Sequence, residues 1–528
     1  VKRALVAVLS LLGLSACAVG PNYHTPQTPP TGQGAFVSAS PQTTVNTQAP
    51  DDWWRLYDDP VLDRLMQQAF AANTDIRVAE GNLAAARGIF DQAKAGLFPS
   101  TALSVEDSYG RHNSSSGTIV AAGTGSSAGG TTTGSTGTGT GTTTGTGTGS
   151  GGGTTLTGNP LTGTTAAPVE WLFDASYDVS YEVDLFGRVR RTLEATRGDY
   201  QAQKAALDAV RITVAAETAR AYADGCAYQE EVDAADRNLK ILQDTYGVTE
   251  KQRDVGSASD YDVARTAALL EQANAAVPPL EAERRSSLFE LAALLGVTPS
   301  QVPADAAACK TAPTIKTLLP VGDGAAMLRR RPDVREAERH LAAETARIGV
   351  AEADLFPTVT LGGSISTVGG PHSNLASNNN VSWGVGPLIN WSFPNILVAR
   401  GEIINAKGNA KAALASFDGA VLTALKETEQ ALTAYNSELI RHAALTRGLN
   451  DSQRAYQLAQ ARYQAGAIAY LDLLTTEQTL ITAESSLAAS DEALAADQIT
   501  LFKALGGGWR TAAVTTAKGG AVPTPAKS

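Results

Sequence analysis

The chain has 528 residues and a formal net charge of −11, which disfavours a polyanionic partner and so argues against nucleic acid. Its five histidines (His24, His112, His340, His372, His442) fall at no metal-ligand spacing and no phosphate-binding loop is present, which together argue against an enzyme.

The first 16 residues have a basic start at Lys2-Arg3, an apolar run from Ala4 to Leu14 and small residues before Cys17, the pattern of a secretory signal. No other stretch approaches the roughly 20 apolar residues of a transmembrane helix, so any membrane-spanning role rests on strands. Residues 17–50 read as a linker. Export places the two other cysteines, Cys226 and Cys309, in an oxidising compartment. They are either two buried thiols or a disulfide.

Trp53-Trp54 reads as packing. A helix is expected over 75–98, stopped at Phe98-Pro99 because proline lacks an N–H and disfavours helix in the residue before it. A short strand follows at Leu103–Val105. From 113 to 168 the chain is almost wholly Gly, Thr, Ser and Ala, too polar to bury itself, and reads as a loop. Gly125–Gly129 there matches G-x-S-x-G, a pattern this composition produces without any strand–turn–helix frame. From Trp171 to Leu185 apolar residues occupy the odd positions and polar residues nearly all the even ones, the period of a strand.

Helices are then expected over 188–255 and 260–296, with a linker at 306–322. In Arg329-Arg330-Arg331-Pro332-Asp333, proline suits the first helical turn and aspartate the positive helix start, with the arginines solvated or paired. The next helix, 332–356, again stops at a Phe-Pro pair, Phe356-Pro357. Strands follow at Val359–Ile365 and Trp383–Phe393. Helices over 397–465 and 469–505 precede a tail, 509–528, expected to be disordered.

This order repeats. Pro357 lies 258 residues after Pro99, and the same offset sets Asp75 on Asp333, Leu83 on Leu341 and Phe98 on Phe356. Gly466 lies 210 residues after Gly256, and that offset sets Asp262 on Asp472, Glu217-Thr218 on Glu427-Thr428 and Leu295-Gly296 on Leu505-Gly506. Two copies of one unit, 51–305 and 323–508, make up the chain. The first carries the Gly/Thr insertion.

The expected fold is mixed but mostly α. Long antiparallel hairpins are expected, and in each copy two shorter helices stacked end to end match one long helix on the order of 100 Å. Alanine-rich faces suit a thin wall around water. Each copy adds a strand hairpin, either a soluble sheet with one wet face or transmembrane strands with an apolar outer band. Four strands cannot close a barrel, since about eight are needed. Membrane-spanning strands would therefore have to be shared between chains.

From Cys17 to Trp509 the chain resembles the outer membrane factors, the TolC-like family in its lipoprotein branch. The resemblance is carried by Leu14-Ser15-Ala16-Cys17, Trp53–Glu80, Tyr181–Arg191, Arg329–Pro357, Ala461–Glu484 and Leu501–Trp509. It implies a homotrimer with a twelve-stranded outer-membrane β-barrel and a periplasmic α-barrel, working with a periplasmic adaptor and an inner-membrane RND-type pump to export drugs. A duct for proteins or metals, or a coiled-coil surface protein, are the alternatives. The lipobox implies diacylglycerol and an N-acyl chain on Cys17, with no other cofactor and no metal. Gly256, Ser257, Gly466 and Ala467 match the adaptor-facing tips. Leu471 and Asp472 match the pore gate, where Asp472 either forms an acidic ring or only stabilises a helix start. The family's second gate position is here Thr475.

Overall fold

The computed structural model describes residues 18–111, 169–370, 375, 377, 380–391 and 396–508. The signal segment 1–16, Cys17, the Gly/Thr-rich loop 113–168 and the tail 509–528 lie outside the described residues. In chain order the helices are α1 (Pro60–Ala72), α2 (Thr74–Ala95), α3 (Arg188–Asp254), α4 (Asp260–Leu294), α5 (Ala304–Ala307), α6 (Gly324–Arg330), α7 (Pro332–Ala353), α8 (Ile396–Gln464) and α9 (Tyr470–Ala504). The strands are β1 (Thr44–Val45), β2 (Ser100–Arg111), β3 (Val169–Val183), β4 (Leu319–Pro320), β5 (Thr358–Gly369) and β6 (Val381–Asn390). β1 pairs with β4 in parallel, and the larger sheet has the order β2-β3-β5-β6.

The chain divides into two compact units, each built from both copies. One comprises Val1–Pro99, Glu182–Thr360 and Leu388–Ser528 and holds the helices; the other comprises Ser100–Tyr181 and Leu361–Pro387 and holds most of the larger sheet.

Element ends keep the sequence offsets. α2 and α7 are both 22 residues long and begin 258 residues apart, as do the 12-residue strands β2 and β5. α4 and α9 are both 35 residues long and begin 210 apart. The short helices that run up to the Phe-Pro pairs stop at Ala95 and Ala353, three residues before the expected ends. Proline forbids the last helical turn, so the chain tightens through Phe98 N–H to Ala95 C=O and Phe356 N–H to Ala353 C=O, both 3.0 Å.

α3 lies beside α2, α4, α7 and α9, whereas α8 lies beside α7 and α9. The short helices of each copy are spliced through a capping side chain. Asn73 caps α2 with its Oδ1, which accepts from Asp75 N–H at 2.8 Å, while its Nδ2 donates to the C=O of Leu294, the last residue of α4, at 3.0 Å. In the second copy Arg331, at the cap of α7, donates from Nη1 to the C=O of Ala504, the last residue of α9, at 2.9 Å. The two splices occupy equivalent positions and use different chemistry.

The main core gathers around these splices. Trp53 is fully buried and stacks on Phe502 with ring centroids 5.1 Å apart, and Leu62, Leu65, Met66, Leu291, Leu319 and Leu432 close around them. Two helices there, α1 and α6, are absent from the sequence reading. The signal for α1 was legible: Asp59-Pro60 is a cap followed by proline at the first helical position, and Asp59 Oδ1 accepts from Val61 N–H at 2.8 Å.

Cys226, fully buried on α3, is bonded to Cys309 in the linker between the copies, with Cα atoms 5.0 Å apart and a separation of 83 residues that encloses the tip-side part of α3 and all of α4. Closing so long a loop restricts the unfolded chain. Replacing both cysteines by serine should lower stability by about 2–4 kcal/mol in chemical denaturation. Thiol trapping on denatured, unreduced protein should label neither residue; labelling of both would refute the bond.

Candidate functional site

The larger sheet places an apolar face in the open. β2 and β3 run antiparallel, with Leu103 opposite Tyr177, Val105 opposite Ala175 and Tyr109 opposite Trp171, whose rings lie 5.1 Å apart. Odd positions thus meet odd positions, and the apolar alternation seen in sequence becomes one continuous face. Leu103, Val105, Trp383 and Val385 are 73–83% exposed. Leu361, Ile365 and Ile389 extend the face. The even side is mostly polar, with Ser104 and Ser176 hydroxyls 2.7 Å apart and Ser366 and Ser382 hydroxyls 2.8 Å apart, Leu172 and Leu388 being among its exceptions. Among the described residues no helix is long and apolar enough to cross a membrane. So large an exposed apolar sheet face needs a nonaqueous neighbour.

Where strands meet helices the two copies touch. Gly187 turns with φ 85° between β3 and α3, and the Asp184 carboxylate caps α3 by accepting from Val189 and Arg190 N–H at 3.1 Å. Phe186 of this turn stacks on Phe356 of the second Phe-Pro pair, with centroids 4.4 Å apart.

The tips joining α3 to α4 and α8 to α9 are exposed at Gly256, Ser257, Gly466 and Ala467. Gly256 (φ 78°) and Gly466 (φ 68°) adopt the left-handed conformation that lets Ser257 N–H reach Gln252 C=O at 2.8 Å and Ala467 N–H reach Arg462 C=O at 2.9 Å. A Cβ at either glycine would meet nothing within 4 Å, so the demand for glycine is conformational.

Past the tips the copies diverge. Ser259 and Asp262 form a reciprocal capping box, with Ser259 N–H donating to the carboxylate at 3.0 Å and the hydroxyl at 2.7 Å. These bonds, the hydroxyl's first, hold the Asp262 carboxyl below its usual range. At the equivalent of Ser259 stands Ala469, which offers no side-chain cap. Asp472 is therefore exposed beside exposed Leu471, with no hydrogen bond or ion pair to its carboxylate among the described residues. Its acceptors point to solvent in the first turn of α9. Thr475, three residues on, bonds its own helix at Leu471 C=O, 2.9 Å.

Sequence reading missed the link between the tips. Gln252 Nε2 on α3 donates to Tyr463 Oη on α8 at 2.7 Å, and Tyr463 packs against Tyr470 with centroids 5.4 Å apart. No offset marks this pair, because it joins positions that are not equivalent. The arginine cluster is structural, with its two buried members paired inside the protein. Arg330 donates to Ala49 C=O and to the Asp51 carboxylate, and Arg331 pairs with Asp333 and Glu427, each at 2.7 Å.

Comparison with known proteins agrees with this architecture. The family model described as outer membrane efflux protein matches residues 65–297 and 325–507. Nodulation protein T of Rhizobium leguminosarum bv. viciae is 30% identical, covering 97% of this chain and 95% of its own. The toluene efflux pump outer membrane protein TtgC of Pseudomonas putida is 26% identical, covering 98% and 100%. The solved outer-membrane channel OprN superposes with a TM-score of 0.78 at 32% identity, covering 93% of this chain and 100% of its own.

Tyr463→Phe removes the acceptor of the inter-tip bond and should loosen both tips by about 1 kcal/mol. Amide exchange over 252–260 and 463–470 should quicken by roughly fivefold. Unchanged exchange would show that the bond does not hold the tips together.

Proposed function

We propose, from the premise that the chain belongs to the outer membrane efflux protein family and is a channel of the bacterial outer membrane rather than an enzyme, that three copies close into one passive duct. The duct docks to a periplasmic adaptor and an inner-membrane RND-type pump and releases drugs or other small toxic molecules. The toluene efflux named for one relative supports small apolar cargo.

The observation that carries ring closure is the uneven covering of equivalent helices. α3 buries 23 of its 67 residues and α8 nine of 69; α7 buries nine of 22, and α2 only Ile76. The chain is an open array of two repeats whose end helices, α2 and α8, lack the neighbour that α7 and α3 find in each other. A second chain would supply it, and head-to-tail contacts of this kind close into rings.

The missing contacts can be named by the offsets. Asp208 on α3 pairs with Arg335 on α7 at 3.6 Å. Their equivalents, Asp418 on α8 and Arg77 on α2, are exposed and without an ion-pair partner among the described residues. A Cβ on Gly198 of α3 would come within 2.9 Å of the Ala343 Cβ on α7; the equivalents are Gly408, with nothing near it, and Ala85. The ring requires only closure. Three copies, giving twelve strands, is the number the family resemblance supplies.

Lipidation of Cys17 with diacylglycerol and an N-acyl chain is part of the same reading. Val19 N–H donates to Phe186 C=O at 3.1 Å, Ala18 lies against Gly187, and buried Arg191 grips Val19 and Gly20 carbonyls at 3.1 Å. The residues after Cys17 are thereby held at the turn where β3 gives way to α3, the height at which a lipid anchor would meet the membrane. Within the duct, Gly256, Ser257, Gly466 and Ala467 face the adaptor, and Leu471 with Asp472 forms the gate. The solvent-facing carboxylate of Asp472, without a partner among the described residues, supports an acidic ring in a threefold assembly.

Ala85→Cys combined with Gly408→Cys should give, on oxidation, covalent oligomers up to trimers on a non-reducing gel, and each single variant none. Monomers alone from the double variant would overturn the ring. Asp472→Ala should raise conductance in planar bilayers and weaken block by divalent cations, while Asp262→Ala should change tip stability alone. Unaltered conductance and block would leave Asp472 a helix-start role only.

A further inference from the structure

Five residues beyond Asp472, Glu477 on α9 is 3% exposed, although Thr475 and Gln478 beside it face water. Its Oε1 is buried and accepts no hydrogen bond, and no ion pair reaches the carboxyl among the described residues. An ionised carboxylate in such a place carries a heavy desolvation cost; a neutral acid carries far less.

The duplication supplies an internal control. The equivalent position in α4 is Ala267. The helix is locally the same in both copies, since Thr266 donates to Asp262 C=O at 3.0 Å and Thr476 to Asp472 C=O at 2.8 Å. A methyl group thus satisfies the fold at this position, and a carboxyl is not needed for packing.

Its surroundings tie it to the tip. Tyr456 from α8 and Tyr470 from α9 are the ionisable groups it acts on, both already pushed up by their own burial. Tyr470 Oη donates to Thr245 C=O on α3 at 3.4 Å, so the start of α9 is bound to the first copy here. Among the described residues no charged group of α3, α8 or α9 acts on Glu477, and loss of water pushes its carboxyl up to about 7.

We propose that Glu477 is a positioning residue for the gate: as the neutral acid it keeps the start of α9 packed on α3 and α8, and as the carboxylate it draws that segment outward and loosens the Leu471–Asp472 aperture. Its functional consequence rests on the channel reading; the packing equilibrium does not.

The sign follows from proton linkage. The packed state holds its proton up to about 7, whereas a solvated glutamate releases it near about 4.3. Between these values packing weakens as pH rises, by up to about tenfold in the loosened-to-packed ratio per pH unit, and above them the effect levels off.

The test compares wild type, Glu477→Gln and Glu477→Ala between pH 5 and 8. It uses conductance in planar bilayers and amide exchange over residues 470–480, corrected for the intrinsic pH dependence of exchange. Wild type should show open probability and exchange rising between pH 5 and 7 and then flattening. Both variants should be flat, the glutamine variant because it keeps the shape without the proton and the alanine variant because it copies position 267. A wild type without the step, or variants that retain it, would overturn the proposal. A Glu477-dependent exchange step without any current would sink the channel reading and leave the latch standing. Current without that step would do the reverse.

Discussion

The helical unit depends on one constraint: two short helices must stack to match one long one, and each stack leaves a helix end that must find a donor. The C=O groups at the ends of α4 and α9 are turned toward protein, where an unmet acceptor is costly. Each copy answers with the residue that caps the next helix, so a negative helix end meets a positive one through a single side chain. Asn73 does this with one amide. Arg331 does it with a guanidinium and must then be neutralised, which draws in Asp333 and Glu427. The aromatic pair Trp53 and Phe502 belongs to the core cluster that includes Leu294 and Ala504, the helix ends at these joints.

From this follows the unequal condition of the two copies. Where a backbone conformation is compulsory the residues agree: Gly256 with Gly466 at the tips, and Gly296 (φ 68°) with Gly506 (φ 72°) where α4 and α9 end. Where only a side chain's chemistry is at stake they differ. Ala469 stands at the equivalent of Ser259 and Glu477 at that of Ala267, and the level of Cys226 is held in the second copy by Asn436, whose Nδ2 donates to Ser38 C=O at 2.7 Å. Two of these three differences lie within about ten residues of the second tip. There, among the described residues, a cap is missing, one carboxylate has no partner and another is buried, each a loss of local stability that a rigid strut would not require. The first hairpin has a capping box and a disulfide, whereas Ala469 offers the second no side-chain cap.

The sheet obeys a different solvent. The main buried cluster of the helical unit gathers at the joints, whereas β2, β3, β5 and β6 turn tryptophan, tyrosine, valine and leucine outward. Both arrangements occur in one chain because the Phe-Pro pairs and the Gly187 turn switch the period from about 3.6 to about 2 within a few residues. Phe186 stacked on Phe356 holds the two switches together.

The sequence by itself determined whatever is local or periodic. Proline placed the ends of α2 and α7 to within three residues, glycine placed the tips, alternation placed the faces of β3 and β6, and the two offsets placed the copies. These signals act along the chain, so no knowledge of neighbours is needed. The start of α1 is marked in the same local way, by Asp59-Pro60. Tertiary structure alone decided the rest: that Cys226 and Cys309 meet rather than stay apart, that Gln252 reaches Tyr463, that Asp472 lacks the partner Asp262 has, and that Glu477 is buried where its helical neighbours are not. Each is a question of which helix covers which face. A weakly amphipathic, alanine-rich helix can be covered on any side, and only packing selects one.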